Sequence, residues 1–202
     1  MENLEKMQKK EKMEKMEKME NPKNKHYLKN NKMKKIIFIL LPFLFINCSP
    51  TGTIITTNNE KMLLGKSTKS DLEKAPFNNW YTSEYNEYKP NEEVIDQLKD
   101  KVTNVTVTIF MGTWCEDCHK QIPDFYKVLE ACKFKERGIT LIAVDKNKTT
   151  PEKDETGLNI TNVPTFIFYE NGKEINRIVE TPKVSLEQDM LDILSGKDYK
   201  PK

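Results

Sequence analysis

The chain of 202 residues is short of several things, and each shortage removes a class of explanation. It has four cysteines, only two of them closely spaced, which is too few for a disulfide-stapled scaffold. No second C-x-x-C accompanies the first, so the paired cysteines lack the partners that a four-ligand zinc site requires. Charge of one sign is missing as well. Lys+Arg 33 against Asp+Glu 31 leaves a net +2, and no aromatic-basic stripe or other nucleic-acid signature is present. There is also no long apolar run. Ile36 to Ile46 is eleven residues, where an unaided membrane span needs about 20.

Residues 1–32 are a low-complexity extension in which Glu-Lys-Met recurs from Glu11 to Glu20. A period of three drifts around a helix of 3.6 residues per turn, so Met13, Met16 and Met19 line no single face. A solvated or untranslated extension is the expectation. Residues 33–48 differ in kind: Met33-Lys34-Lys35 precedes the apolar run, which stops at Asn47-Cys48. That is the build of a signal peptide, and it suggests Met33 as the true start. The end of the run resembles a bacterial lipoprotein signal, in which Cys48 would be lipidated. Asn47 departs from that motif, which usually has Gly, Ala or Ser there. The expectation is export to a bacterial periplasm or cell envelope, with a lipid anchor at Cys48. Residues 49–60, rich in Thr, Asn, Ser and Gly, read as a tether.

The folded domain is expected over 61–198. Lys61 to Pro90 is the part hardest to read; its aromatics Phe77, Trp80, Tyr81, Tyr85 and Tyr88 are assigned to packing. Pro90-Asn91 opens a short helix through Lys99. Val105 to Phe110 is β-branched and aromatic, hence a strand. Ile122, Phe125, Leu129 and Cys132 recur at helical spacing, so a helix follows Cys115. Ile139 to Val144 is a buried strand, and Lys146 to Asn159 reads as loop plus a weak helix. Thr165 to Tyr169 and Glu174 to Val179 are strands joined at the Asn171-Gly172 turn. Val184 to Leu194 closes the chain as an amphipathic helix. This order predicts an α/β fold, a central mixed sheet flanked by helices on both faces.

The stretch on which the domain turns is Trp114-Cys115-Glu116-Asp117-Cys118-His119. Cys115 falls where a strand ends and a helix begins, and there free N–H groups and the helix dipole favour a thiolate. Two intervening residues let Cys118, one turn on, reach it. A C-x-x-C in that setting is a redox motif. The competing readings are a stable structural disulfide or half of a zinc site. His119 reads as an exposed helix histidine that tunes charge, Glu116 and Asp117 as first-turn helix acids, and Cys132 as a buried inert thiol.

Residues 91–195 resemble a thioredoxin domain. The resemblance rests on Trp114-Cys115-x-x-Cys118 after a strand, Pro123 five residues beyond, Val163-Pro164-Thr165, and Asn171-Gly172 in the last hairpin. It implies a cis Val163–Pro164 bond lying against the redox pair, with Trp114, Val163 and Pro164 forming the substrate groove. It further implies Cys115 as nucleophile and Cys118 as resolving thiol, with Glu116, Asp117 and His119 tuning them. No cofactor and no metal are implied. The expected partners are disulfide-containing proteins or small thiols, an unidentified electron donor, and a membrane reached through the lipid anchor. The expected activity is disulfide reduction, since two carboxylates between the cysteines oppose the very stable thiolate of an oxidase. A binding module with incidental cysteines is the alternative. Three positions depart from the family pattern: Glu116-Asp117 for Gly-Pro, Ile109 for a buried acid, and Glu180 for a groove glycine.

Overall fold

The computed structural model describes residues 7–8, 10–11, 52–57 and 59–201. The chain forms two compact units, 1–46 and 47–202. In the first, the described residues Met7, Gln8, Lys10 and Glu11 are helical. The rest of the 1–32 extension, the signal-like segment and Cys48 lie outside the described residues. Among the described residues no helix is long and apolar enough to cross a membrane.

The second unit is built on a six-stranded mixed sheet of spatial order β1-β2-β4-β3-β5-β6. At its centre, β3 (Val105–Met111) runs parallel to β4 (Ile139–Ala143) and antiparallel to β5 (Thr165–Glu170). A strand covered on both faces should read as a continuous apolar run, and Ile109, Phe110 and Met111 are all fully buried. Outward from β5, the hairpin at Asn171-Gly172 leads into β6 (Lys173–Val179). Both turn residues have positive φ, which Asn tolerates and Gly adopts freely.

On the other side, β2 (Glu60–Ser67) pairs antiparallel with β4 and with β1 (Thr53–Thr57). This corrects the expected tether. The run Thr53-Ile54-Ile55-Thr56-Thr57 is β-branched throughout, and Asn59 at φ 65 makes the turn that folds it back on β2. The domain boundary moves with it, from 61 to at least 53. At the other end Tyr199 is buried and its hydroxyl donates to Asp189, so the domain also runs past 198.

Lys61 to Pro90, hard to read from sequence, supplies β2, a single turn α1 (Lys69–Leu72) and helix α2 (Asn78–Glu87). Helix α3 (Glu92–Leu98) follows, its first turn capped by the Asn91 side chain, which accepts from Glu93 and Val94 N–H. After β3 comes α4 (Glu116–Ala131). Its buried stripe of Cys118, Ile122, Phe125 and Leu129 lies against the sheet, with Phe125 4.3 Å from Phe166 and 6.1 Å from Phe168 between ring centroids. Burying each such ring contributes about 1.5–3 kcal/mol. Truncating Phe125 to alanine would cost about 3–5 kcal/mol, because the cavity adds to the transfer loss. A further face of α4 meets α2 through Tyr126 and Tyr81.

The weak helix expected within 146–159 is instead a chain of turns. Pro151 lacks an N–H, while Lys148, Lys153, Gly157 and Asn159 take positive φ. Side chains also claim the backbone donors: Asp145 accepts from Asn147 and Thr149 N–H, and Glu155 from Thr150 N–H. Helix α5 (Leu186–Leu194), capped by Ser185, closes the fold beside α3 and β6.

Candidate active site

The end of β3 delivers Met111 and then a tight turn, Gly112 to Cys115, closed by Cys115 N–H to Gly112 O at 3.1 Å. Val144 N–H bonds Met111 O at 2.8 Å, so the turn is held from the neighbouring strand end. Cys115 is the N-cap of α4 and has extended backbone angles, while its sulfur accepts from Cys118 N–H at 3.4 Å. The side chain therefore does what a capping oxygen does: it satisfies one of the helix's free donors. Glu116 and Asp117 occupy the first turn and are exposed, as first-turn acids should be.

The two cysteines have opposite surroundings. Cys115 is half-buried at the protein surface; Cys118 is fully buried, its sulfur accepting from Gly112 N–H at 3.4 Å. Hydrogen bonding from the Cys118 thiol is the main cause that brings Cys115 down to about 7. The N–H groups of Cys118 and Asp117 act in the same sense, whereas burial and the Asp117 charge oppose it. Of the expected contest between helix terminus and the two carboxylates, the N–H groups and Asp117 are present, but the other cysteine contributes more than either. Burial pushes Cys118 strongly upward, reinforced by Cys115 itself. One thiol is poised to ionise near neutrality, and the other stays protonated behind it.

Opposite the sulfur stands the Val163–Pro164 pair, joined by a cis bond as the resemblance implied. The Cys115 thiol donates to Val163 O at 3.3 Å. Pro164 is buried, and its carbonyl accepts from Glu180 N–H at 2.8 Å. Glu180 has φ 57, a left-handed conformation that favours glycine, so the residue standing for the groove glycine keeps glycine's backbone shape while adding an exposed carboxylate. Trp114 is half-buried, its indole N–H donating to Val144 O at 2.9 Å. Gly112 makes room for it: a Cβ there would lie 2.4 Å from the ring. Ile109, where the family has a buried acid, is completely enclosed in the core.

Sequence reasoning placed His119 wrongly. It is not an exposed surface histidine but is half-buried and stacked on Trp80, 4.3 Å between centroids with planes 17° apart. Its Nε2 lies 2.8 Å from Thr113 O. Trp80 and Thr113 were not identified as site residues; the only signal was an aromatic in a stretch assigned to packing. Cys115-x-x-Cys118-His119 also has the spacing of a c-type haem attachment. The fully buried Cys118 and the His119 nitrogen committed to a carbonyl do not fit that use. Among the described residues no three His, Cys, Asp or Glu side chains converge on a metal position. A cleft of about 560 Å³ lies near the far end of α4, lined by Val102, Val105, Cys132 and Phe134, and holds none of the residues around Cys115.

The thioredoxin family model matches residues 87–192. The chain belongs to the thioredoxin family. It is 31% identical over 115 residues to thioredoxin-like protein HCF164, chloroplastic, of Oryza sativa subsp. japonica, covering 55% of this chain and 40% of that one. It is 29% identical over 132 residues to thiol-disulfide oxidoreductase ResA of Bacillus thuringiensis subsp. konkukian, covering 60% of this chain and 61% of that one. The match therefore spans about two fifths of the chloroplast relative's length. The crystal structure of Fasciola hepatica thioredoxin aligns over 50% of this chain and 86% of its own, at 20% identity and a TM-score of 0.32.

Proposed function

We propose that the protein is a thiol–disulfide oxidoreductase that works mainly as a disulfide reductase through Cys115 and Cys118. The observation that carries this reading is the asymmetry of the pair, a surface thiol at a helix N-terminus backed by a fully buried one. In the reduced form, the Cys115 thiolate attacks one sulfur of a substrate disulfide. A mixed disulfide forms, and the first substrate sulfur leaves as a thiolate. Cys118 then attacks the Cys115 sulfur, its proton passing to the departing second thiolate. Two electrons reach the substrate, the enzyme becomes a Cys115–Cys118 disulfide, and an external dithiol donor must restore it.

The preference for reduction follows from the thiolate. A strongly oxidising pair needs its nucleophile far below neutrality, near 3.5 in the extreme case, whereas Cys115 sits at about 7. Substrates would be protein disulfides or small-molecule disulfides, and the name of the ResA relative fits that class. Replacing Cys118 with serine tests the scheme, because the nucleophile remains and release is blocked. Mixed disulfides through Cys115 should accumulate with disulfide substrates and vanish in the Cys115→Ser, Cys118→Ser double variant. A Cys118→Ser protein that forms no adduct would leave a binding module with incidental cysteines.

Export and lipid attachment at Cys48 belong to the same proposal. They are supported by Lys34-Lys35, the apolar run Ile36 to Ile46, and the cysteine that ends it. Metabolic labelling with a fatty acid should mark the wild type and not Cys48→Ala. Equal labelling of the two would remove the anchor and leave export to be judged separately.

A further inference from the structure

The turn that carries Cys115 is gripped at one residue from two sides. Thr113 is buried, and its side-chain oxygen accepts from Leu63 N–H of β2 at 3.1 Å. Its backbone carbonyl meets His119 Nε2 at 2.8 Å. A carbonyl can only accept, so Nε2 carries the hydrogen and donates. The imidazole is fixed in plane by Trp80, which reaches it from α2. Trp80 lies outside the residues matched by the family model. His119 is the residue after Cys118, so this bond closes a ring from the end of the redox motif back to its beginning. Within the ring Cys118 N–H bonds the Cys115 sulfur at 3.4 Å, and Gly112 just before it ties to the same segment, its carbonyl accepting from Cys115 N–H at 3.1 Å and its N–H donating to the Cys118 sulfur at 3.4 Å.

We propose that His119 is a positioning residue for the redox pair: its N–H bond to Thr113 O, held by the Trp80 stack, keeps the Gly112–Cys115 turn in register with the first turn of α4. The inference rests on the exchange reading of Cys115 and Cys118. No proton or electron passes through His119, and the covalent steps stay between sulfurs. Its effect is geometric. The groups that favour the Cys115 thiolate, namely the Cys118 thiol and the N–H groups of Asp117 and Cys118, all belong to α4, while the sulfur they serve hangs from the turn. If turn and helix slip relative to one another, those hydrogen bonds lengthen together. A ring that merely filled space would support stability alone and leave thiol reactivity unchanged.

The test uses the full chain and reads Cys115 directly, by its rate of alkylation with iodoacetamide against pH, mapped to the Cys115 peptide. Melting temperature and disulfide turnover are followed alongside. His119→Leu keeps apolar volume against Trp80 and removes the donor; His119→Gln restores an N–H donor. His119→Leu and Trp80→Ala should slow Cys115 alkylation at pH 7 about three- to tenfold, the equilibrium value of roughly one net hydrogen bond. The alkylation midpoint should rise accordingly, and His119→Gln should recover most of the wild-type rate. If His119→Leu melts lower yet alkylates like the wild type, His119 is packing and the proposal is overturned. If His119→Gln is as slow as His119→Leu, the hydrogen bond is not the cause, and the proposal is equally lost. Loss of turnover on disulfides by the wild type itself would strike the exchange reading instead, since the alkylation comparison needs no disulfide substrate.

Discussion

Helix α4 carries a cysteine at each end, and the two have opposite characters. Cys115, the N-cap, is half-buried and brought down to about 7; Cys132, the C-cap, is buried and pushed up to about 11. The residue type is the same and the helix is the same. At the N-terminus, unpaired N–H groups point at the sulfur and the dipole is positive. At the C-terminus, carbonyls end the helix, and burial removes the water that would stabilise a thiolate, with Lys99 only partly offsetting it. Between them, Asp124 shows that burial outweighs helix position: it is 4% exposed, and desolvation, assisted by Glu84 and Glu187, raises it to about 7 against the pull of Lys120. An ionisable group on this helix is a reagent only where solvent, N–H groups and a partner thiol meet.

The contrast is most sharply broken by exchanging the cysteines one at a time. Cys115→Ser should reduce disulfide turnover to the uncatalysed background, whereas Cys132→Ser should leave it within about twofold while costing about 1–3 kcal/mol of stability, because it buries a hydroxyl where a thiol packed. In the wild type, iodoacetamide at pH 7 should label Cys115 and leave Cys132 unlabelled until the protein unfolds. Mass mapping of the two peptides decides it, and labelling of Cys132 in the folded protein would erase the distinction between the ends.

Asp124 sharpens the comparison through pH. Its folded-state value is raised above the unfolded one, so between pH about 4 and 7 the folded protein holds a proton that the unfolded chain has released. Stability from this group is therefore complete at low pH and lost as pH rises through about 7. Asp124→Asn should gain about 1–3 kcal/mol over wild type at pH 8, with the gain shrinking to nothing near pH 4. Urea unfolding at the two pH values measures it. A gain that does not change with pH would show that the buried charge is not its source.

The smallest effect tests how far support for the N-terminal end extends beyond the helix. Removing residues 1–59 deletes β1 and uncovers the edge of β2, whose Leu63 N–H holds Thr113. Relative to a chain beginning at Gly52, this protein should lose about 1–2 kcal/mol, a few degrees of melting temperature, while Cys132 stays protected. Identical melting would mean that β1 pairs without stabilising.

Much of the chemistry was legible because it is local. Two residues between cysteines at a strand-to-helix junction place one sulfur on the helix N-terminus and the other one turn inside, and only 3.6 residues per turn are needed to see it. Apolar periodicity exposed β3, α4 and β5 for the same reason. The N-terminal layer was not legible. Thr53 to Thr57 is polar enough to pass as linker, and only pairing with β2 makes it a strand. Helix α2 has a single fully buried residue, Tyr81, so no apolar stripe announces it. The 146–159 segment failed for a related reason, since its backbone donors are satisfied by side chains that a propensity reading treats as solvated.

What the sequence determined by itself was the reagent: which sulfur is presented and which is withheld; that Val163-Pro164 faces them was implied by the family resemblance and is met in the Cys115–Val163 contact. Tertiary structure decided how tightly the reagent is held. Leu63, Trp80 and Val144 lie 50, 39 and 30 positions along the chain from their respective partners Thr113, His119 and Trp114, and they meet them only once β2, α2 and β4 have assembled around the turn. A hydrogen bond between neighbours in sequence is set by backbone geometry, whereas one between distant segments exists only after the hydrophobic core has brought them together, which is why a pattern of residue types can reveal the first and not the second.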